Sequence, residues 1–338
     1  MNRKVLVFAL TLMFLTTMMW ANGASEQDKG KEDNVVVVGL AWNERMQSLV
    51  QAWEDYMMMY SKEYGDENGL TFKWIANVSD SDPIQQASNI DDLIAQNVDI
   101  IVARPHDAAA IGASIRAAHD AGIKFVTFDR SSEGIKPDAH VGADSYNQAI
   151  STAEYFAELL TENGVEGKVI ELMGDLRDVN AILRSKGWHE VEDRTDAWET
   201  IVQVPTEWNP EKFRSGTANA LEAYPEANAM FIASDFAFSA VQSALEAADR
   251  FYPVGHPKHV WIATQDVNPQ GYDGMKGGYI DVATTYDAYF HAVELVEVVG
   301  RLFEGEDLGG ESFLVAGRVA TPDNVDKLEN MWAIEYTE

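Results

Sequence analysis

Residues 123–130 read Ile-Lys-Phe-Val-Thr-Phe-Asp-Arg, a short apolar run that ends in an Asp-Arg pair. Residues 259–266, His-Val-Trp-Ile-Ala-Thr-Gln-Asp, repeat the arrangement and also end in an aspartate. In open α/β sheets, ligands bind in the crevice outside the carboxyl ends of the strands. Carboxylate and guanidinium groups at such ends can hold a small polyhydroxylated molecule through charge-assisted hydrogen bonds. Because the two stretches lie far apart in the chain, we expect two lobes with a cleft between them.

The rest of the chain alternates buried strands with amphipathic helices. The continuous apolar run 35–40 is typical of a central parallel strand that is covered on both faces. Asp82 and Pro83 supply a capping residue and a first-turn proline for a helix. The expected strands are 35–40, 70–76, 98–103, 123–128, 168–173, 200–204, 229–233 and 260–263. The expected helices are 47–64, 82–97, 108–121, 147–163, 181–196, 210–224 and 239–248.

This alternation indicates βαβ units and mostly parallel sheets. Eight or nine such repeats could also close into a (β/α) barrel. Residues 34–142 and 145–285, however, form two similar halves, each near the usual size of a domain. The sequence therefore predicts an α/β protein with two doubly wound parallel-sheet lobes and a ligand cleft between them.

The first 33 residues are not expected to belong to the fold. A basic start at Arg3 and Lys4, an apolar run over 5–20 and the small residues 21–23 are typical of a secretory signal peptide over residues 1–23. The apolar run is shorter than the roughly 20 residues that a membrane-spanning helix needs. Residues 24–33 are expected to form a flexible leader. The chain has no cysteine, which excludes a lipid anchor on cysteine and disulfides, so export as a soluble protein is predicted.

The net charge is −30, from 25 basic and 55 acidic residues. Such a surface repels nucleic acid and anionic lipid, so no nucleic-acid partner is expected. A solvated acidic surface explains this charge without an acidic partner.

Several polar residues follow the ends of predicted strands. Asn43 and Arg45 follow the first strand, and the Arg45 fork suits hydroxyl or carboxylate oxygens, although a surface arginine is an alternative interpretation. Asp129 and Arg130 follow the fourth strand, where they could instead form a structural ion pair. We interpret all four as candidate ligand contacts.

The second half of the chain repeats the pattern. Asp178 and Asn180 follow the strand 168–173, where they could also cap the next helix. Arg184 lies one helical turn further on and could reach the cleft. Trp208 stands in a loop before a helix, where its ring could stack on a sugar ring or pack as structure. Three more polar residues follow later strands, namely Ser234, Asp235 and Asp266. A shared polar cleft explains this repetition better than separate helix caps.

Catalytic motifs are scarce. The chain has no dinucleotide-binding glycine motif after its first strand, no Walker loop, no H-E-x-x-H and no G-x-S-x-G. His256 and His259 lie in a proline-containing turn and are expected to be exposed. No catalytic residue, metal site or cofactor is predicted. A secreted glycoside-active enzyme stays open as an alternative, because its two carboxylates pair in space and not in sequence.

The strand-end motifs 128–130, 233–235 and 265–266 resemble those of the sugar-binding proteins of bacterial ABC importers. Three further segments are similar to the xylose-binding branch of that family, namely 44–47, 178–184 and 207–211. The resemblance extends from Val35 to about Glu335. It implies a periplasmic, monomeric, non-enzymatic protein that binds a monosaccharide, with a pentose and xylose first. Ribose, galactose or inositol are the alternatives, and the implied partners are the importer's membrane subunits and a chemoreceptor.

The resemblance also implies how the lobes are connected. Three crossings are expected near Ala143, Tyr286 and Arg318. The first lobe would then take residues 34–142 and 287–316, and the second would take 143–285 and 317–338. Two departures concern the site: Ser234 stands where the family usually has asparagine, and Tyr286 stands where the xylose branch tends to have lysine. Both are retained as expected ligand contacts.

Overall fold

The computed structural model describes residues 34–45 and 48–335. The predicted signal peptide and leader therefore lie outside the described residues, as do residues 46 and 47 of the motif 44–47. The strands are β1 (Val35–Trp42), β2 (Thr71–Val78), β3 (Ile100–Ala103), β4 (Lys124–Phe128), β5 (Ala139–Ala143), β6 (Gly167–Met173), β7 (Trp198–Pro205), β8 (Ala229–Ile232), β9 (Trp261–Asp266), β10 (Val282–Thr285), β11 (Glu311–Val315) and β12 (Val319–Ala320). The helices are α1 (Ser48–Asn68), α2 (Pro83–Ala95), α3 (Ile111–Asp120), α4 (Ser145–Glu162), α5 (Val179–Glu192), α6 (Pro210–Ala223), α7 (Phe238–Ala247), α8 (Pro269–Lys276), α9 (Ala288–Phe303) and α10 (Trp332–Glu335).

The strands form two sheets of six, which define the two lobes. The first sheet has the order β11-β5-β4-β3-β1-β2 and is parallel throughout. The second has the order β12-β10-β9-β8-β6-β7 and is parallel except for the antiparallel pair of β10 and β12. The predicted fold class, two doubly wound parallel-sheet lobes, is therefore confirmed, and the barrel alternative is wrong.

Apolar strands in the middle of each sheet explain this arrangement. Strand β1 lies between β2 and β3 and buries seven of its eight residues, because helices cover both of its faces. In the first lobe, Trp42 and Trp53 stack with ring centroids 6.2 Å apart and contact Phe128 edge-on. In the second lobe, Trp188 stacks on Phe231 at 4.3 Å. Each lobe thus has its own aromatic core.

Polar caps set the helix starts on which the site depends. Asp82 accepts hydrogen bonds from the backbone N–H groups of Ile84 and Gln85 at the start of α2. Asn209 does the same at the start of α6, where Pro210 takes the first position. Asp178 caps α5 by accepting from Asn180 N. Each cap follows a strand and turns the chain back over its own sheet.

The chain passes from one lobe to the other between β5 and α4, between β10 and α9, and between β11 and β12. The C-terminal segment then contacts both lobes, since Met331 packs into the core of the second lobe and Trp332 into that of the first. Within the described residues, none of the helices is both long enough and apolar enough to span a membrane.

Candidate functional site

The site lies where the carboxyl ends of strands from both sheets face each other. Arg104 follows β3, Asp129 follows β4 and Ser234 lies just beyond β8. Asp266 ends β9, and Tyr286 follows β10. A cavity that is partly open to solvent lies between these ends. Its lining residues are Leu49, Arg104, Asp129, Arg130, Asp178, Asn180, Arg184, Trp208, Ser234, Phe236, Asp266, Asn268 and Tyr286.

Asp129 is the centre of the first-lobe side of the cavity. Its Oδ2 accepts a hydrogen bond from Arg104 Nε, and its Oδ1 accepts one from the Tyr286 hydroxyl. Burial alone would raise the pKa of Asp129, but the charges of Arg104 and Arg130 and the Tyr286 hydrogen bond outweigh it and lower the pKa to about 2. Asp129 is therefore a carboxylate at neutral pH.

Arg184 and Asp266 form the matching pair on the second-lobe side. Arg184 Nη2 donates to Asp266 Oδ1 at 2.6 Å, and Nη1 donates to Asp266 Oδ2 at 3.2 Å and to the Ala233 carbonyl at 2.6 Å. The Ser234 hydroxyl also donates to Asp266 Oδ2. Burial raises the pKa of Asp266, and the bidentate guanidinium opposes that shift. Asp266 Oδ2 thus accepts two hydrogen bonds and Oδ1 accepts one, so Oδ1 is the oxygen with more capacity to accept from a ligand.

Two polar contacts join the lobes across the cavity. Asn180 Nδ2 donates to Asp129 Oδ1 at 3.1 Å and to the Asp129 carbonyl at 3.0 Å. Arg130 Nε lies 2.8 Å from Asp178 Oδ2. Asp178 therefore combines a helix-cap role with a place in the cavity wall, whereas the Asn180 side chain lines the wall without capping the helix.

Trp208 has the largest side chain of the residues that line the cavity. Its Nε1 donates to Asp178 Oδ2 at 3.0 Å, and its ring meets Phe236 edge-on with centroids 6.3 Å apart. A Cβ atom on Gly174 would lie 2.1 Å from the Trp208 ring, so only glycine leaves room for the indole here. An indole fixed in this way can stack on the apolar face of a sugar ring.

Three residues of the cavity wall have left-handed backbone conformations: φ is 62° at Asp129, 53° at Trp208 and 92° at Asp266. Non-glycine residues adopt this region rarely, and such conformations concentrate at functional sites. These backbone conformations place the carboxylates of Asp129 and Asp266 and the indole of Trp208 at the same cavity.

The charges of the lining residues balance. Arg104, Arg130 and Arg184 provide three positive charges, and Asp129, Asp178 and Asp266 provide three negative ones. Arg104 also contacts Glu44 Oε1 at 2.9 Å. Within the described residues, no cluster of histidine, cysteine, aspartate and glutamate side chains could hold a metal ion. The chemistry that this wall offers is hydrogen bonding to a polar ligand without a large net charge.

Nine of the twelve predicted ligand contacts line this cavity; Asn43, Arg45 and Asp235 do not. Arg45 instead pairs with the buried carboxylate of Glu54 and leaves 47% of its side chain exposed. Asn43 is 2% exposed, and its Oδ1 accepts from Arg104 Nη1 at 2.9 Å. The structure thus places Asn43 behind the wall.

Asp235 is completely buried below the wall. Its Oδ1 accepts from the backbone N and the side-chain Nδ2 of Asn268, both at 2.8 Å, so it supports Asn268, which does reach the cavity. Burial and the nearby charge of Asp266 raise the pKa of Asp235 to about 8. Asp235 is therefore a neutral supporting group at pH 7.

The sequence interpretation missed four lining residues, which are Leu49, Arg104, Phe236 and Asn268. Arg104 follows the buried strand β3 just as Arg130 follows β4, so the strand-end rule could have found it. Asn268 comes two residues after Asp266. Leu49 and Phe236 gave no polar signal, because apolar residues near a helix start are usually core.

Two α/β lobes that place charged strand ends and an indole around one cavity define a two-lobed binding protein. The chain belongs to the periplasmic binding protein domain family, whose family model matches residues 45–307. Proteins similar to this chain include the ribose and D-apiose import binding proteins and a solute-binding protein of an ABC transporter, which are binding proteins and not enzymes. The chain is accordingly a binding protein, and the alternative of a glycoside-active enzyme is set aside.

Two relatives illustrate the similarity. The ribose import binding protein of Bacillus subtilis is 27% identical over 196 residues, which cover 58% of this chain and 58% of that protein, less than two thirds of its length. The D-apiose import binding protein of Paraburkholderia graminis is 24% identical over 263 residues, 77% of this chain and 81% of that protein.

Solved structures share the fold. A solute-binding protein of an ABC transporter from Bacillus halodurans, with bound myo-inositol, is 25% identical, has a TM-score of 0.75 and covers 86% of this chain and 96% of its own. One from Actinobacillus succinogenes, with bound D-allose, is 19% identical with the same TM-score and covers 87% of this chain and 100% of its own.

Proposed function

We propose that this protein is an exported solute-binding protein that encloses a neutral monosaccharide or cyclic polyol between its lobes and delivers it to an ABC importer. The observation that carries the proposal is the balanced set of three guanidinium and three carboxylate groups around one cavity beside Trp208. A charged ligand would leave an uncompensated charge in a buried place, which is costly. A hydroxyl group both donates and accepts, and so fits such a wall.

Within this class, a pentose is our first candidate, and xylose is the first pentose to test. Two of the three segments that resemble the xylose-binding branch, 178–184 and 207–211, contribute Asp178, Asn180, Arg184 and Trp208 to the cavity wall. Relatives named for the import of ribose and apiose, which are both pentoses, support a ligand of this size. Relatives of the fold with bound myo-inositol or D-allose make cyclic polyols and hexoses, including galactose, the alternatives.

The connections between the lobes suit a hinge. We infer that the lobes separate when no ligand is bound and close when a ligand ring meets Trp208 and the two charge pairs. Delivery to an importer requires a periplasmic location, which agrees with the family and with the signal peptide expected over residues 1–23. The proposal includes a monomer in solution and leaves a chemoreceptor as a second partner of the closed form.

Calorimetry of the mature protein against D-xylose, D-ribose, D-allose, D-galactose and myo-inositol tests the proposal. One sugar or polyol should bind with a defined Kd and, at 100 times that Kd, should stabilise the fold by about 2.7 kcal/mol and raise Tm by several degrees. The variant Asp266→Asn should weaken binding by about 10-fold or more, since charge-assisted hydrogen bonds are lost. Asp91→Asn, an exposed change on α2, is the matched control. Binding to none of these compounds would refute the proposal.

A further inference from the structure

Arg104 is the one charged residue among the four cavity-lining residues for which the sequence predicted no role. We propose that Arg104 contacts the ligand directly and selects for a hydroxyl group on the part of the sugar or polyol that faces the first lobe. This inference rests on the proposed function and adds to it a specificity determinant.

The position of Arg104 is that of a ligand contact. It directly follows β3, next to β4 in the sheet, so its side chain emerges beside Asp129 at the carboxyl edge. Only 5% of the residue is exposed, and it nevertheless lines the cavity. An arginine that is buried to this extent has little access to bulk water, so its N–H groups need hydrogen-bond partners within the site.

Counting the donors shows what Arg104 offers. A guanidinium has five N–H groups: one on Nε and two on each Nη nitrogen. Nε donates to Asp129 Oδ2, and Nη1 donates to Asn43 Oδ1 and Glu44 Oε1, both at 2.9 Å. These contacts account for Nε and for both Nη1 hydrogens. Among the described residues, the two Nη2 hydrogens are the ones left to meet a ligand.

The guanidinium is also fixed in place. Its central carbon lies 5.5 Å from the ring centroid of Trp53, which is completely buried, so one face of the group is covered. Burial opposes the charge, yet Asp129 and Glu44 raise the pKa of Arg104, which therefore stays protonated. A donor that is already ordered by four neighbours loses little conformational freedom when a ligand binds.

Such a donor discriminates between substituents on the ligand. The Nη2 group can donate but not accept, so it favours an oxygen and disfavours hydrogen, methyl or an ammonium at the same ligand position. Asp129 cannot take over this role, because its Oδ1 already accepts from Asn180 and Tyr286 and its Oδ2 from Arg104. Asn43 and Glu44 act through Arg104 and are positioning residues.

The test is calorimetry with monodeoxy analogues. The tightest binder among D-xylose, D-ribose, D-allose, D-galactose and myo-inositol is the parent compound, and each monodeoxy analogue of it is titrated. In the wild type, one analogue in particular should bind about 10- to 100-fold more weakly than the parent, as expected for a hydrogen bond to a charged group. In Arg104→Lys, which keeps the charge beside Asp129 but loses the fork, that ratio should fall to about 3-fold or less. Arg116→Lys, an exposed change on α3, should retain the full ratio.

The outcomes separate the two proposals. If the wild type binds no sugar or polyol, the proposed function fails and this inference falls with it. If sugars bind but Arg104→Lys keeps the wild-type ratio for every analogue, the inference alone is wrong. If Arg104→Lys does not fold, Asn43→Ala decides, because it removes one anchor of Nη1 and leaves the pair with Asp129 intact. A reduced ratio in Asn43→Ala supports the inference, and an unchanged ratio overturns it.

Discussion

Replacing Asp235 by asparagine should stabilise the protein at neutral pH, although it alters a completely buried residue. The carboxyl group has no access to solvent, and its Oδ2 has no hydrogen-bond partner among the described residues. A Cβ atom on Gly271 would lie 1.8 Å from that oxygen, so the surrounding backbone is closely packed on it. Asparagine has nearly the same shape and keeps an oxygen for the two donors of Asn268.

The magnitude follows from linkage. The folded protein raises the pKa of Asp235 from 3.8 to about 8, so between these values the native state holds a proton that the unfolded state has lost. The contribution of this group to stability is therefore complete below pH 3.8 and is lost as pH rises toward 8, by about 1.4 kcal/mol per pH unit. Asparagine does not titrate. Between pH 5 and pH 7, the stability of Asp235→Asn relative to the wild type should thus increase by about 3 kcal/mol.

Urea unfolding at pH 5, 6 and 7 measures this difference directly. The comparison at each pH cancels the contributions of groups that both proteins share, and Asp91→Asn on the exposed face of α2 controls for the loss of one negative charge. A difference between Asp235→Asn and the wild type that stays constant over this pH range would contradict the reasoning. It would mean that Asp235 is ionised in the folded protein.

Two further predictions concern other buried groups. Gly174→Ala should weaken binding of the tightest sugar about 10-fold or more, because the added Cβ would displace the Trp208 ring that we expect to stack on the ligand. Calorimetry measures this loss of affinity, and an unchanged affinity would contradict the role of Trp208. His291→Leu should remove an acid sensitivity, since burial lowers the pKa of His291 from 6.5 to about 4. As pH falls from 6.5 toward 4, the wild type loses about 3 kcal/mol of stability, because the unfolded state binds a proton on His291 that the folded state does not. In urea unfolding, the stability of His291→Leu relative to the wild type should therefore increase by about 3 kcal/mol over this range. An equal pH dependence in both proteins would show that His291 titrates normally.

Most of the fold could be predicted from local pattern. Continuous apolar runs such as 35–40 and cap signals such as Asp82-Pro83 indicated elements that the structure contains as β1 and α2. Four strands, β5, β10, β11 and β12, were not predicted, and in β5 the reason is that His140 and Gly142 interrupt the apolar run. His140 is nevertheless only 8% exposed, and its Nδ1 lies 3.0 Å from the Thr127 hydroxyl. That partner lies on the neighbouring strand and leaves no local signal.

The wrong predictions at the site also arise from partners that are distant in sequence or that lie on other elements. Arg45 was expected at the cavity, but Glu54, nine residues later, is a buried carboxylate that attracts it. His259 was expected in solvent, but it is 8% exposed and lies 3.0 Å from Asp281, while His256 is exposed as predicted. Asp235 was grouped with Ser234, but two successive residues at a strand end point in different directions. A strand-end rule finds the edge, and long-range partners decide which side chain reaches the cavity.

Tyr286 shows why the hinge and the cavity cannot be treated separately. It lies at the crossing between β10 and α9, and its backbone N–H donates to the Asp266 carbonyl at 2.9 Å, which fixes it to the second lobe. Its carbonyl accepts from Trp332 Nε1 at 2.9 Å, and its hydroxyl donates to Asp129 in the first lobe. The Tyr286 ring packs in the first-lobe core against Trp53, with centroids 6.1 Å apart, so the residue is held by both lobes at this crossing. Because Asp129, Asp266 and Tyr286 are all wall residues, a change in the angle between the lobes also changes the geometry offered to a ligand, so affinity and closure should respond to the same substitutions.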